Sequence, residues 1–314
     1  MAKIKPYKKK KSLDLGKRRV IFALMILGGF LMIISGLFLE RNLKKDLFLT
    51  KIWRTAPSLE TKLPTPTTVP TNNPTPTILP TKIPTISFED VNKNFGPCAK
   101  INTLMYHHIQ PEEEAKKNGQ TNLTVSPDFL EKQFQYLQDK KYNVISMENL
   151  KNFFDGTENL PDKPVLLTFD DGYKDNYVYM YPILKKFGYK ATIFIPTGLL
   201  NNPDYLTWDD LNSMKDLVYF GNHTWSHHSS GGTTEKLDEE IGLADKQLNE
   251  HGYNNLKIFA YPFGKSSGNA ESVLAKDKYI LAFTTTHGNI LCRGKNFDLP
   301  RIRVGNTQLN KYGL

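Results

Sequence analysis

Cysteine is scarce in this chain, which has only two in 314 residues, Cys98 and Cys292. The spacing between them does not suit a zinc site built from cysteines, so that class of metal site is excluded. In an oxidising compartment the two thiols could pair and hold together the two ends of the domain between them. They could equally remain unpaired, and the sequence leaves both alternatives open.

A glycine-rich phosphate-binding loop is also lacking after every predicted strand, which counts against a nucleotide-binding protein. Most of the chain also carries almost no net charge. The formal net charge is +9, but residues 1–19 hold nine Lys and Arg against one Asp, so the rest of the chain carries only +1. A nucleic-acid-binding domain needs basic and aromatic residues on its folded surface. We therefore expect no nucleic-acid partner.

One long apolar run follows the basic tail. Residues 20–39 contain no charged side chain and only Ser35 as a polar one. As a helix with a rise of ~1.5 Å per residue they would span ~30 Å, the thickness of a bilayer core. A cleaved signal peptide is the alternative, but its apolar region usually has about 7–15 residues and precedes a small-residue cleavage site. The run favours an uncleaved transmembrane anchor.

The flanks of this span predict its orientation. Nine Lys and Arg precede it and five lie in residues 41–56, so the positive-inside rule places residues 1–19 in the cytoplasm as a basic tail. Residues 57–85 contain eight Pro and nine Thr, a composition that favours extended polyproline II structure over a packed core. We interpret residues 40–97 as a juxtamembrane segment and linker. The expected protein is a single-pass membrane protein with an extracytoplasmic domain at residues 98–314.

Short apolar runs alternate with helix-like segments throughout this predicted domain. Clear strands are predicted at 164–169 and 191–195, and clear helices at 177–187 and 233–251. Strands that alternate with helices imply an α/β fold with a largely parallel sheet. Seven or eight β/α units suit a closed or nearly closed barrel, with an open doubly wound sheet as the alternative.

Reactive side chains follow the predicted strands at their carboxyl ends. Asp170 and Asp171 come directly after the strand 164–169, and His223 and His227 follow a later strand. In β/α barrels, active sites lie at this end of the strands. One Asp and two His can hold a divalent metal with a position left for water, and the second Asp is then free to act as a base. The pattern indicates metal-assisted hydrolysis.

Three short motifs together resemble those of a known family. They are Thr168-Phe169-Asp170-Asp171-Gly172, His223-Thr224-Trp225-Ser226-His227 and Tyr261-Pro262-Phe263-Gly264. The family is the polysaccharide deacetylases, the NodB-homology domain of carbohydrate esterase family 4, and the resemblance covers roughly residues 98–305. The segment 104–109 is similar to the branch that de-N-acetylates poly-N-acetylglucosamine, where the motif order is circularly permuted. The resemblance implies a distorted (β/α)7 barrel that removes N-acetyl groups from a polysaccharide.

The resemblance also implies which residues carry the reaction. Asp171, His223 and His227 would bind a divalent metal, expected to be Zn2+, with Co2+, Mn2+ and Ni2+ as alternatives. Such a metal lowers the pKa of its water towards ~7 and polarises the acetamide carbonyl. Asp170, held beside the same cation, would stay ionised and take a proton from the water as general base.

The third motif and the other strand ends supply the remaining groups of the expected site. The backbone N–H of Phe263 would stabilise the oxyanion, and Tyr261 and Pro262 would lie against the substrate, with Pro262 fixing the direction of that peptide. The leaving amine must be protonated, and the permuted branch points to His107 for this role. His287, which also follows a strand, is the alternative acid.

The sequence departs from the family pattern in two places. Many relatives have an Arg in the third motif that orients the base, and this chain has none there. Arg301 or Arg303 could reach the site instead, and Arg301 is expected among the substrate-binding residues. The usual C-terminal His motif is absent too, which the permuted order would explain. Trp208 could wall the acetyl pocket or stack on sugar, or could belong to the core.

The resemblance implies an N-acetylated exopolysaccharide or the peptidoglycan glycan as the substrate of a membrane-anchored enzyme. Two other interpretations stay open. An O-acetyl esterase acting on acetylated xylan or a similar ester would use the same site. A wall-binding module could retain the site without activity. The sequence makes no prediction about the oligomeric state.

Overall fold

The computed structural model describes residues 87–314. The predicted basic tail, the span at 20–39 and nearly all of the predicted linker lie outside the described residues. Between residues 87 and 314, no helix is both long and apolar enough to cross a membrane.

Twelve strands in this part of the chain form a barrel and two small sheets. They are β1 (Cys98–Lys100), β2 (Asn102–Tyr106), β3 (His108–Ile109), β4 (Thr124–Val125), β5 (Asn143–Val144), β6 (Pro164–Phe169), β7 (Ala191–Ile195), β8 (Val218–Asn222), β9 (Ile258–Ala260), β10 (Leu281–His287), β11 (Ile290–Cys292) and β12 (Leu299–Arg303). Seven of them form the barrel in the order β2, β12, β10, β9, β8, β7, β6, and the ring closes because β6 also pairs with β2. The short strand β5 pairs with β6 as an eighth strand of this sheet, and the small sheets are β1 with β11 and β3 with β4. The neighbouring barrel strands are parallel. The prediction of a closed barrel is therefore confirmed over the open sheet.

Eight α-helices lie within residues 87–314. They are α1 (Phe88–Phe95), α2 (Glu112–Lys117), α3 (Pro127–Asp139), α4 (Met147–Asp155), α5 (Tyr181–Phe187), α6 (Trp208–Met214), α7 (Thr234–Glu250) and α8 (Gly268–Lys276). One π-helical turn, Asn176–Met180, leads into α5, so the predicted helix 177–187 consists of two parts. It ends at Gly188, whose φ of 66° is a left-handed conformation that glycine adopts without steric penalty.

Apolar side chains fill both faces of the barrel wall. Leu166, Phe194, Ala260 and Phe283 come from four different strands and belong to one buried cluster, which places them in the barrel interior. Their neighbours in sequence point the other way because side chains alternate along a strand. In β6, for example, Leu167 packs with apolar residues of the surrounding helices. Each fully buried Leu or Phe side chain of this kind contributes about 1.5–3 kcal/mol to stability.

The two cysteines are bonded to each other in the structure. Cys98 in β1 lies opposite Cys292 in β11, and their sulfur atoms form a disulfide across this antiparallel pair. Of the two alternatives that the sequence left open, the pairing of the domain ends is the one observed.

The folded part of the chain begins before residue 98, which corrects the predicted linker boundary. Helix α1 occupies residues that the composition assigned to the linker. It forms because Ser87 and Asp90 make a capping box at its start. At its other end, the side-chain oxygen of Asn92 accepts a hydrogen bond from the backbone N–H of Cys98 at 2.8 Å, and this bond joins the helix to the disulfide strand.

Candidate active site

Asp171, His223 and His227 converge at the carboxyl end of the barrel. The Oδ1 atom of Asp171 lies 3.3 Å from Nε2 of His223 and 3.1 Å from Nε2 of His227. One donor atom from each of the three residues lies within 4.8 Å of the others. Two imidazole nitrogens and one carboxylate oxygen are the ligand set of many catalytic zinc sites, in which a fourth position stays open. The predicted ligand set therefore exists as a spatial cluster.

A sharp turn after β6 separates the two neighbouring aspartates. Asp171 has a φ of 73° and Gly172 a φ of 64°, so two consecutive residues adopt the left-handed conformation. Asp tolerates this region better than most side chains, and Gly adopts it freely. The reversal of the backbone lets Asp170 face the barrel interior while Asp171 faces the histidines.

The histidine segment is also shaped by left-handed backbone. Thr224 and His227 have φ values of 65° and 60°. The side-chain oxygen of Asn222 accepts a hydrogen bond from the N–H of Thr224 at 2.8 Å, and the Thr224 hydroxyl accepts one from the N–H of His228 at 2.9 Å. These bonds close a tight loop that returns His227 to the side of His223.

One hydrogen bond settles the tautomer of His223. Its Nδ1 atom lies 2.7 Å from the carbonyl oxygen of Ala260 in β9. Because a carbonyl oxygen can only accept, the ring proton is on Nδ1, and the lone pair of Nε2 points to Asp171. An outer hydrogen bond of this type orients metal-binding histidines in proteins. The donor set thus fits a divalent cation such as zinc.

Arg301 holds Asp170 in a two-pronged ion pair. Its Nη1 and Nη2 atoms donate to Oδ1 and Oδ2 of Asp170, each at 2.7 Å. Its Nε atom donates to the carbonyl of Thr284 at 2.9 Å, and Nη1 also lies 3.2 Å from the hydroxyl of Thr168. Arg301 is 0% exposed, so the prediction that it contacts substrate is wrong. Its geometry suits the orientation of the expected base, and Arg303 is exposed.

The surroundings of the two aspartates favour their ionised forms. Burial alone would raise the pKa of Asp170, but the charge and hydrogen bonds of Arg301 outweigh it, and the pKa lies below its ordinary value. Burial opposes ionisation of Asp171 too, yet the imidazoles of His223 and His227 beside it hold its pKa well below the ordinary value. Both side chains are therefore carboxylates at neutral pH.

The two candidate acids lie in different surroundings. His107 follows β2, and burial lowers its pKa while the nearby charges of Asp170 and Asp171 oppose this shift. The backbone N–H of Asp170 donates to the carbonyl of Tyr106 at 3.0 Å, so His107 directly follows a strand end that borders Asp170. His287 is exposed at the end of β10 and lines a surface groove that also includes Phe95 of α1. The site geometry favours His107 over His287 as the acid.

The third motif places one backbone segment beside the histidines. Phe263 has a φ of 60°, its ring is 71% exposed, and this ring packs edge-on against His227 with the centroids 4.8 Å apart. Pro262 is buried. The side chain of Tyr261 is also buried, and its hydroxyl donates to the carbonyl of Phe297 at 2.9 Å. The ring of Tyr261 therefore packs in the core, and the predicted contact of Tyr261 with substrate stays a prediction.

Trp208 does not join the site. Its indole stacks on the ring of His251 at a centroid distance of 3.7 Å and an interplanar angle of 2°, and it also lies parallel to Tyr253. It packs against the main apolar cluster between the barrel and its helices. Of the two roles that the sequence left open for Trp208, these contacts support the one in the core.

Tyr173 is a site residue that the sequence did not single out. Its ring stacks between His108, at a centroid distance of 3.5 Å, and Tyr205, at 5.4 Å. Burial and the neighbouring carboxylate of Asp171 both raise the pKa of its hydroxyl, so Tyr173 is a neutral hydrogen-bond donor at the edge of the cluster. His108 is held in turn by Asp175, 2.6 Å from its Nδ1. The available signal was the position of Tyr173 directly after Asp-Asp-Gly.

Comparison with known proteins identifies the family. The family model named polysaccharide deacetylase matches residues 157–281. The deacetylase PplD of Streptococcus pyogenes, whose structure was solved in complex with acetate, is 32% identical to this chain with a TM-score of 0.61. The match covers 67% of this chain and 94% of PplD. The chain belongs to the polysaccharide deacetylase family and is by class a deacetylase hydrolase.

Two curated relatives are less similar in sequence. YxkH of Bacillus subtilis, provisionally named a polysaccharide deacetylase, is 28% identical over 208 residues, which are 66% of this chain and 72% of YxkH. The poly-beta-1,6-N-acetyl-D-glucosamine N-deacetylase of Escherichia coli K12 is 25% identical over 250 residues, covering 65% of this chain. This chain spans only 36% of that E. coli protein.

Proposed function

We propose that this protein is a metal-dependent hydrolase that removes N-acetyl groups from N-acetylglucosamine units of a polysaccharide. The observation that carries the proposal is the cluster of Asp171, His223 and His227 beside the ion pair of Asp170 and Arg301. The name of the E. coli relative supports poly-N-acetylglucosamine as the substrate class. An exopolysaccharide or the glycan of peptidoglycan would present these units.

The donor set favours zinc as the metal. Asp171, His223 and His227 would hold the ion, since they offer two imidazole nitrogens and one carboxylate oxygen. Cobalt, manganese or nickel could occupy the same donors. When bound, such an ion supplies Lewis-acid polarisation of the acetamide carbonyl and makes a water more acidic.

Asp170 is proposed as the general base. Its carboxylate is ionised because Arg301 compensates for its burial, and both of its oxygens are fixed by the guanidinium. A base fixed in this way accepts a proton from the attacking water without first reorienting. Arg301 acts through Asp170 and is therefore a positioning residue.

The backbone N–H of Phe263 and the imidazole of His107 are proposed to complete the reaction. The Phe263 segment is beside His227, so its N–H could donate to the oxyanion that forms when the acetamide carbon is attacked. His107, which directly follows the strand residue whose carbonyl accepts a hydrogen bond from Asp170, would then protonate the departing sugar amine. Free amine and acetate are the products.

The protein is proposed to act outside the cytoplasm, anchored by residues 20–39. The basic residues before that span support this orientation. The disulfide between Cys98 and Cys292 supports it independently, because such bonds persist in oxidising compartments and are rare in the cytosol.

The decisive test measures acetate release by the full-length protein from defined oligomers. The substrates are β-1,6-linked and β-1,4-linked N-acetylglucosamine oligomers and O-acetylated xylan. We expect release from the N-acetylated oligomers, loss of release after chelation, and recovery on adding Zn2+. Faster release from xylan would replace the proposal with an ester hydrolase. Stoichiometric zinc binding with no release from any of the three would contradict an enzyme and favour a binding module.

A further inference from the structure

Glu240 is a buried carboxylate outside the motifs that reaches the segment between the two histidines. It lies on α7 and is 2% exposed. Its Oε2 atom accepts a hydrogen bond from the backbone N–H of Ser226 at 2.9 Å, and its Oε1 atom accepts one from the Ser226 hydroxyl, also at 2.9 Å. Charged groups are rarely buried unless hydrogen bonds compensate for lost hydration. The burial of Glu240 therefore indicates a specific role for these contacts.

The position of Ser226 makes this contact relevant to the metal site. Ser226 directly precedes His227 and lies in the short loop that His223 begins. Three other peptide groups in or next to the loop are held by Asn222, by the Thr224 hydroxyl and by the backbone of Gly198, whose N–H donates to the carbonyl of Trp225 at 2.7 Å. Glu240 adds hydrogen bonds from helix α7 to Ser226, the residue next to His227.

Lys236 completes the surroundings of Glu240. It lies one helical turn earlier on α7, with Nζ 3.1 Å from Oε1 of Glu240 and 3.0 Å from Glu239. The bonds from Ser226 and Lys236 outweigh burial and hold the pKa of Glu240 below its ordinary value. Glu240 is thus an ionised acceptor that receives several donors, and it is rigidly placed by the helix.

We propose that Glu240 is a positioning residue for the metal ligands, which presets the spacing of His223 and His227 by holding Ser226. The proposal rests on the proposed metal-dependent function and deepens it. The loop contains two residues with side chains in the left-handed conformation, Thr224 and His227, which is unfavourable for such residues. Without the hydrogen bonds from Glu240, the loop could therefore adopt other backbone conformations. The imidazoles would then have to be ordered by the metal itself, which weakens binding.

The test compares variants of the full-length, chelator-stripped protein in a zinc titration against a chromophoric chelator. Glu240→Ala should weaken zinc affinity by roughly 10–100-fold, the usual effect of losing a group that orients ligands. Glu240→Gln keeps one acceptor for Ser226 and should lose much less. Glu239→Ala is the matched control, since Glu239 is exposed and shares the Lys236 partner. It should bind zinc as the wild type does.

Two further measurements separate positioning from general damage. In Glu240→Ala, acetate release should recover once zinc exceeds the weakened dissociation constant. Wild-type zinc affinity in a folded Glu240→Ala protein would overturn the proposal. An equal loss of zinc affinity in Glu239→Ala would overturn it too, and so would a rate of acetate release by Glu240→Ala that stays low at saturating zinc. Where Glu240→Ala fails to fold, Ser226→Ala decides, because wild-type zinc affinity in that variant contradicts the role. The zinc titrations use no polysaccharide and can be interpreted without activity. A wild-type protein that binds zinc but releases no acetate would therefore refute only the proposed function.

Discussion

Asp170 and the histidine segment 223–227 lie on two sides of one site and are held in place by different interactions. On the aspartate side, a buried guanidinium from β12 binds both carboxylate oxygens. On the histidine side, left-handed backbone and hydrogen bonds from the loop and from α7 set the geometry. The first arrangement depends on pairing two buried charges. The second depends on backbone shape, so the two sides should fail in different ways when they are altered.

The largest effect on metal content and acetate release should come from replacing Asp171 or Asp170 with asparagine. Asp171→Asn removes the carboxylate that faces both histidines, so we expect loss of bound metal and of acetate release. Asp170→Asn should keep the metal and lower the rate by roughly 10²–10⁴-fold, the usual loss for a general base. Zinc content and acetate release are measured on the same samples. Metal loss in Asp170→Asn, or full metal content and rate in Asp171→Asn, would contradict the division of roles.

The next comparison is between the two histidines proposed as acids. His107→Gln should lower kcat by about 10²-fold, the lower end of the range for a lost general acid, because His107 follows the strand end that borders Asp170. His287→Gln changes an exposed side chain and should leave kcat within about twofold. Initial rates on an N-acetylated oligomer decide between them. A large loss in the His287 variant alone would reverse the assignment.

A smaller effect on rate, but a large one on stability, is expected from Arg301→Met. Breaking a buried ion pair by removing one partner reduces stability by about 3–5 kcal/mol, which urea unfolding would measure. Arg301 lowers the pKa of Asp170, so its removal raises that pKa. Since the base must be ionised, the acidic limb of the pH–rate profile should move to higher pH.

Arg301→Lys is the control for charge, because it keeps the positive charge but not the two-pronged geometry. It should move the acidic limb less than Arg301→Met does. In the wild type, the lowered pKa of Asp170 contributes stability that is present above its unfolded pKa and is lost as the pH falls through the folded value. An unchanged acidic limb in both variants would show that Asp170 is not the titrating base.

The smallest effect should come from Trp208→Phe. The indole stacks on His251 outside the site, so kcat/KM should stay within about twofold. Stability should fall by about 0.5–1.5 kcal/mol, the contribution of one aromatic pair. A raised KM for oligomers at unchanged stability would instead assign Trp208 to the substrate.

Several elements could be predicted because their signals are local. The strands 164–169 and 191–195 were predicted with the bounds that the structure has, since each is an apolar run with a single Thr as its only polar residue. Helix α1 was missed because it follows a Pro/Thr-rich stretch and has no buried residue of its own. The strands β3, β4 and β11 carry no such signal, because each has only two or three residues. Such short strands form only where a partner strand is already in place.

The difference between local signals and contacts with distant segments also applies to the candidate site. Residue types and their order along the chain were enough to predict Asp170, Asp171, His223 and His227, because a strand end followed by a reactive side chain is a local pattern. For the partner of Asp170, the amino-acid order offered two candidates, Arg301 and Arg303, and could not decide between them. Arg301 is 131 residues away in sequence, and nothing near it marks it as different from Arg303. It reaches Asp170 because the closed barrel places β12 next to β2 and β2 next to β6. Local chemistry was therefore readable from the amino-acid order, whereas partners such as Arg301 and Glu240 depend on which distant segments the closed barrel and its helices bring together.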